Sequence, residues 1–102
     1  MSYLIHLTQP AMEMIREQQE DLAIVSEERA EKWSRELLAH LREYVSEFPR
    51  LAPAHREARD EAIRRLSWRN YIVIYKVIDT SGLVFVLSVR HARQKPLGPE
   101  HF

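Results

Sequence analysis

The chain has 102 residues, 15 Lys/Arg against 15 Asp/Glu, 45% hydrophobic residues and no cysteine. That length suits one domain, which buries roughly two-thirds of its unfolded surface and needs no covalent staple. The missing thiols exclude disulfides, thiolate zinc sites, iron–sulfur clusters and cysteine nucleophiles, and they suit a reducing compartment. Charge is unevenly spread. Residues 1–48 carry 10 Asp/Glu against 5 Lys/Arg, and residues 49–102 carry the reverse. The neutral total weighs against a protein that tracks a phosphate backbone, whereas the basic second half leaves room for a cationic patch.

The opening Met1-Ser2-Tyr3-Leu4-Ile5-His6-Leu7 has no basic region ahead of its short apolar run, so no secretory leader is expected. Alternation makes it a strand, with Tyr3, Ile5 and Leu7 on one face and Leu4 and His6 on the other. Thr8-Gln9-Pro10 starts a helix, because proline lacks an N–H where the first turn has no use for one. This helix is predicted to run to about Ile24, with a stripe of Ala11, Met12, Ile15, Leu22 and Ala23 diluted by Gln18 and Gln19. Ser26-Glu27-Glu28 opens a second helix, whose glutamates suit the positive end of the helix dipole. Its stripe of Ala30, Trp33, Leu37, Leu38, Leu41, Tyr44, Val45 and Phe48 keeps spacings of three and four up to Pro49. The short link implies an antiparallel hairpin.

Residues 49–61 read as a crossover loop with a helical turn between Ala54 and Asp60. A short strand is expected near Ala62–Ser67, a turn at Trp68-Arg69-Asn70, and a central strand over Tyr71–Ile78. Asp79-Thr80-Ser81-Gly82 forms a hairpin loop, and Leu83–Val89 returns. Lys76, Asp79 and Gly82 interrupt this apolar stretch, so it is no membrane helix. Residues 91–102 form a polar tail. The predicted order is βααβββ, an α+β domain with the hairpin on one face of an antiparallel sheet.

No phosphate-cradling glycine loop, GxSxG elbow or HExxH helix is present. His6, His40, His55, His91 and His101 lie at no metal-ligand spacing, so neither metal nor cofactor is expected. The suggestive cluster is Arg90-His91-Ala92-Arg93-Gln94-Lys95, joined by Arg64, Arg65 and Arg69 from the neighbouring strand and turn. Guanidiniums and an imidazole at a strand end hold phosphate and allow acid–base work; as a plain alternative they form a solvated rim. Trp33, Tyr44 and Phe48 fit core packing better than a ligand pocket. Glu27, Glu28 and Glu31 fit helix-start electrostatics better than a catalytic carboxylate pair.

An ordered set of segments carries a resemblance. It comprises Leu7-Thr8 with Ala11 and Ile15, Ala30-Trp33-Leu37-Leu41, Glu47-Phe48-Pro49-Arg50-Leu51, Ile63-Arg64-Arg65-Leu66, Asn70 to Val77, and Val86 to Arg93. Over about residues 3–96 the chain resembles toxins of the RelE/ParE superfamily from bacterial type II toxin–antitoxin modules. The resemblance implies a small sheet with a helical hairpin on one side. It also implies a cognate antitoxin whose C-terminal segment wraps and neutralises the toxin in a hetero-oligomer. RelE-like members cut mRNA in the ribosome, whereas ParE-like members inhibit DNA gyrase by binding. The long hairpin and the Glu47-Phe48-Pro49-Arg50 corner resemble the ParE branch, and His91 matches a histidine common there. Ile72 stands where RelE-like chains usually carry an arginine after the tyrosine. The resemblance therefore implies a cytoplasmic, plasmid-stabilising gyrase inhibitor in which Arg64, Arg65, Arg69, Arg90 and Arg93 meet the target or the antitoxin. Two alternatives stay open. One is a ribosome-dependent endoribonuclease using Arg90, His91 and Arg93; the other is a degenerate, non-toxic binding partner.

Overall fold

The computed structural model describes residues 2–56 and 58–93. Strand β1 (Leu4–Leu7) leads into helices α1 (Gln9–Val25) and α2 (Glu27–His40). A π-helical turn (Leu41–Val45), the loop over residues 46–62 and strands β2 (Ile63–Trp68), β3 (Tyr71–Ile78) and β4 (Leu83–His91) follow. The strands form one sheet in the order β1-β4-β3-β2. The expected strand, helix and hairpin order is present. The predicted tail beyond residue 93 lies outside the described residues.

Local chemistry explains the boundaries. The Thr8 hydroxyl accepts from the Ala11 N–H and donates to the Val86 carbonyl, so it caps α1 and pins it to β4. Ser26 has extended backbone and its hydroxyl accepts from the Arg29 N–H, which ends α1 and starts α2 within one residue. Gly82 closes the β3–β4 loop at φ 63°, a conformation glycine adopts without strain.

The sheet is mixed, not antiparallel throughout: β1 runs parallel to β4, while the other pairs are antiparallel. The reason lies in the connection. The helical hairpin returns the chain to the far side of the sheet, and β4, arriving last, fills the place beside β1.

Both helices cover one face. Ala11, Ile15, Trp33, Leu37, Leu41 and Val45 pack on Trp68, Val73, Tyr75, Val77, Val84, Val86 and Val89, with Tyr3, Ile5 and Leu7 joining them. Alternation along β3 sends Ile72 and Ile74 to the opposite face, where they form a smaller cluster with Ile63, Ala58 and Leu87. A register shift opposite Ile74/Tyr75 keeps Val89 on the helix side after Leu87.

Three helix expectations change. Met12 points outward, while Gln18 is buried in its stead. Tyr44 and Phe48 are exposed, not core. The π-helical turn is the cause: the Ser46 N–H donates to the Leu41 carbonyl five residues back, so the turn holds one residue more than an α-turn. The inward positions become Val45, at the end of the turn, and Ser46 and Pro49 beyond it. Ser46 then docks β1, donating its hydroxyl to the Tyr3 carbonyl and accepting the Tyr3 N–H on its own carbonyl. The helical turn expected between Ala54 and Asp60 is a single hydrogen-bonded turn from His55 to Ala58, and Ala54 pairs with Arg64 as an isolated bridge.

Candidate functional site

The predicted basic residues divide between two faces and two ends of the sheet. Residues 68, 71 and 91 stand abreast across β2, β3 and β4, and the Ala92 N–H donates to the Asn70 carbonyl at 2.7 Å. Arg69, Arg90, His91 and Arg93 therefore gather at one end. Within that end they part. Arg90 is in register with Ile72, on the face away from the helices, and Arg65 is in register with Ile74 on the same face. His91 is in register with Tyr71 on the helix side, its ring edge-on to the tyrosine at 5.3 Å. Its Nδ1 accepts the Arg93 N–H at 3.1 Å, so the imidazole closes the end of the strand. Arg64 belongs to the other end of β2, where its Nη1 donates to the Ala52 carbonyl at 3.2 Å.

Arg69 occupies the two-residue β2–β3 turn at φ 55°, which throws its side chain back toward α2. The guanidinium lies 4.4 Å from the Trp68 ring centre and pairs with Glu36. That pairing holds the Glu36 carboxyl below its ordinary range.

An apolar cleft of about 290 Å³, unannounced by the sequence, opens where α2 runs into the π-helical turn. Tyr44, Phe48 and Leu51 line its mouth, and Leu66 and Ser67 of β2 with Tyr75 of β3 line its wall. Its three mouth residues are 51%, 59% and 77% exposed, an unusual outlay of apolar surface on so small a body. The Tyr75 hydroxyl donates to the Pro49 carbonyl at 2.6 Å, and burial pushes its pKa up to about 12. His40 borders the cleft, its ring tilted against Tyr44 at 4.7 Å, and burial lowers its pKa. The only advance signal was the run Tyr44-Val45-Ser46-Glu47-Phe48, whose apolar spacing reads as core unless a π-turn shifts it.

A third group braces the far corner. Asp79 accepts from the Tyr3 hydroxyl at 2.7 Å and from Arg50, which ties β1, the loop after α2 and the β3–β4 loop together. Both partners hold the Asp79 carboxyl below its ordinary range, the tyrosine contact first. Among the described residues, no group of three or more His, Asp or Glu side chains is placed to hold a metal ion. No helix among them is long and apolar enough to cross a membrane.

Comparison with solved structures gives the same architecture. The chromosomal ParDE toxin–antitoxin system from P. aeruginosa superimposes with a TM-score of 0.69 at 11% identity, covering 88% of this chain and 96% of that one. The RelBE2 complex from Mycobacterium tuberculosis gives 0.65 at 16% identity, with coverages of 89% and 92%. The isolated E. coli RelE toxin gives 0.60 at 23% identity, with coverages of 92% and 88%. At these identities the likeness is one of fold. A comparison with curated protein sequences found no match. The model of the ParE toxin of the type II toxin–antitoxin system parDE matches residues 5–96. With nearly the whole described chain inside that match, and the same helical hairpin on the same sheet, this chain belongs to the ParE toxin family of type II toxin–antitoxin systems.

Proposed function

We propose that this chain is a toxin that acts by binding DNA gyrase, not by its own catalysis, and that a cognate antitoxin neutralises it in the bacterial cytoplasm. The family match over residues 5–96 carries this reading. The site chemistry supports it. Ile72, 7% exposed and in register with Arg90, puts an apolar side chain where a phosphate grip would need another cation. His91 already uses Nδ1 to hold the chain end, and Arg69 is paired with Glu36. The apolar cleft at Tyr44, Phe48 and Leu51 suits an antitoxin segment that orders as it binds and covers these side chains.

The test is supercoiling of relaxed plasmid by purified gyrase, which should fall as folded toxin is added and recover with antitoxin. Unchanged supercoiling at micromolar toxin with a native circular dichroism spectrum rejects the reading.

One observation favours the nuclease alternative. Arg65 and Arg90 share the face away from the helices, two strands apart and offset by two residues of register, which is about 12 Å at ordinary strand spacing and rise. Such a pair could bracket a phosphate. Cleavage of mRNA in a translating extract, abolished by Arg90→Ala, would establish that activity; intact mRNA rejects it. Normal growth of bacteria expressing the chain without antitoxin would point to a non-toxic family member.

A further inference from the structure

The flank of α2 bears a second cleft, of about 360 Å³, lined by Arg29, Lys32, Trp33, Glu36 and Arg69. Arg29, Lys32 and Glu36 follow spacings of three and four, so they share one side of α2, and Arg69 reaches them from the β2–β3 turn. Without Glu36, this hollow would present three cations at the basic end of the sheet, a lining that suits a phosphate group. Glu36 changes that. Its carboxylate pairs with Arg69 and lies 3.9 Å from the Lys32 Nζ. The Arg69 contact, first among the causes, holds the Glu36 carboxyl below its ordinary range, so it stays charged at neutral pH. Arg69 does not depend on Glu36 for its place, because the guanidinium also lies 4.4 Å from the Trp68 ring centre.

Helix α1 adds to the same field. The Tyr71 hydroxyl has its pKa raised by burial first and by the Asp21 carboxylate second, which places that charge beside the strand end. Tyr71 in turn meets the His91 ring edge-on at 5.3 Å. Asp21 forms no ion pair among the described residues, so no cation there neutralises it. Carboxylates from both helices thus face the end of the sheet where Arg69, His91 and Arg93 gather.

We propose that Glu36 is a specificity-determining residue that stands in for a phosphate on Arg69, and that together with Asp21 it closes this basic end to single-stranded nucleic acid. Arg69 would otherwise be one more phosphate contact, already aimed by Trp68. A nucleic acid that approaches it must displace a carboxylate tethered alongside and enter the field of a second. The two residues act differently: Glu36 occupies a contact, whereas Asp21 only repels. The proposal rests on the reading of a protein target. It explains how a chain with 10 Lys/Arg in residues 49–102 is kept from holding RNA by charge alone.

Fluorescence anisotropy of a labelled oligouridylate, titrated with the full chain at several salt concentrations, tests this. Glu36→Gln should bind about fivefold tighter than the native chain at about 0.1 M salt, and its salt slope should steepen by about 0.7, the signature of one added phosphate contact. Asp21→Asn removes a field and adds no contact, so it should gain about twofold or less with the slope unchanged. Glu13→Gln is the control. It makes the same change in net charge about 12 Å nearer the start of α1 than Asp21, and it should bind as the native chain does. Adding Arg69→Gln to Glu36→Gln should erase the gain. The Glu36–Arg69 pair is open to solvent and contributes little to stability, so these variants should keep the fold, which melting curves check. The proposal is overturned if Glu36→Gln binds no tighter than the native chain, including where neither binds. It is equally overturned if Glu13→Gln gains as much, or if the gain survives Arg69→Gln. A chain that inhibits gyrase while Glu36→Gln gains nothing sinks this proposal alone; a chain that leaves gyrase untouched while Glu36→Gln gains RNA sinks the gyrase reading alone.

Discussion

Helix α1 buries Ala11, Ile15 and Gln18, while α2 and its π-helical turn bury Ala30, Trp33, Leu37, Leu41 and Val45. Both helices lie on the same sheet face and both start at a hydroxyl cap, yet they do different work. α1 turns only one large apolar side chain, Ile15, fully inward beside Ala11 and Gln18, and leaves Ile24 and Val25 exposed at its end. α2 supplies the bulk of the helical core, and both clefts open along its flanks. A helix whose inward stripe is well filled holds its flanking side chains still, and a recognition site gains from that rigidity. The comparison teaches that core and candidate function are concentrated in one element.

The strongest way to break this contrast is Leu41→Asp. Leu41 is fully buried, and an unpaired carboxylate there should cost about 3–5 kcal/mol, enough to unfold a small domain. A melting temperature that stayed put would show that α2 is not the core helix. Next comes the pair Leu37→Ala and Ile15→Ala, followed by urea denaturation. Truncation of fully buried Leu37 should cost about 3–4 kcal/mol, and truncation of Ile15, 8% exposed, about 2 kcal/mol. Equal losses would erase the distinction between the helices.

The caps reverse the ranking on a smaller scale. Thr8→Ala removes a cap and a bond to β4 and should cost about 1–2 kcal/mol, whereas Ser26→Ala loses one cap bond and should cost about 0.5–1 kcal/mol. The smallest effect is one of pH. Burial lowers the His40 pKa in the folded chain below its ordinary 6.5. The unfolded chain then binds the proton more readily, so the His40 contribution is complete above the unfolded value and is lost as pH falls below it. Thermal melts across mildly acidic pH should show this slope, and His40→Gln should flatten it.

Much of this architecture was legible because it depends on local pattern. β3 falls at Tyr71–Ile78 as expected, since its density of β-branched and aromatic side chains suits little else. The break at Ser26 followed from a hydroxyl ahead of two glutamates. The basic residues were found by their type, but whether they met was not readable: one residue of register places Arg90 and His91 on opposite faces. The π-turn escaped for a similar reason. Its hydrogen bond from Ser46 to Leu41 differs from an α-bond by one residue, and no residue type demands it.

Periodicity, capping chemistry and turn residues thus determined the element order, the helical hairpin and most of the core, because each depends on neighbours a few residues apart. The parallel pairing of β1 with β4, the outward turn of Tyr44 and Phe48, and the meeting of Arg69 with Glu36 and Trp33 were decided only by the folded chain. The first and last of these join residues 33 to 79 positions apart, brought together by the packing of the helical layer on the sheet, and no local preference encodes such a distance; the π-turn spans five residues, but no residue type demands it.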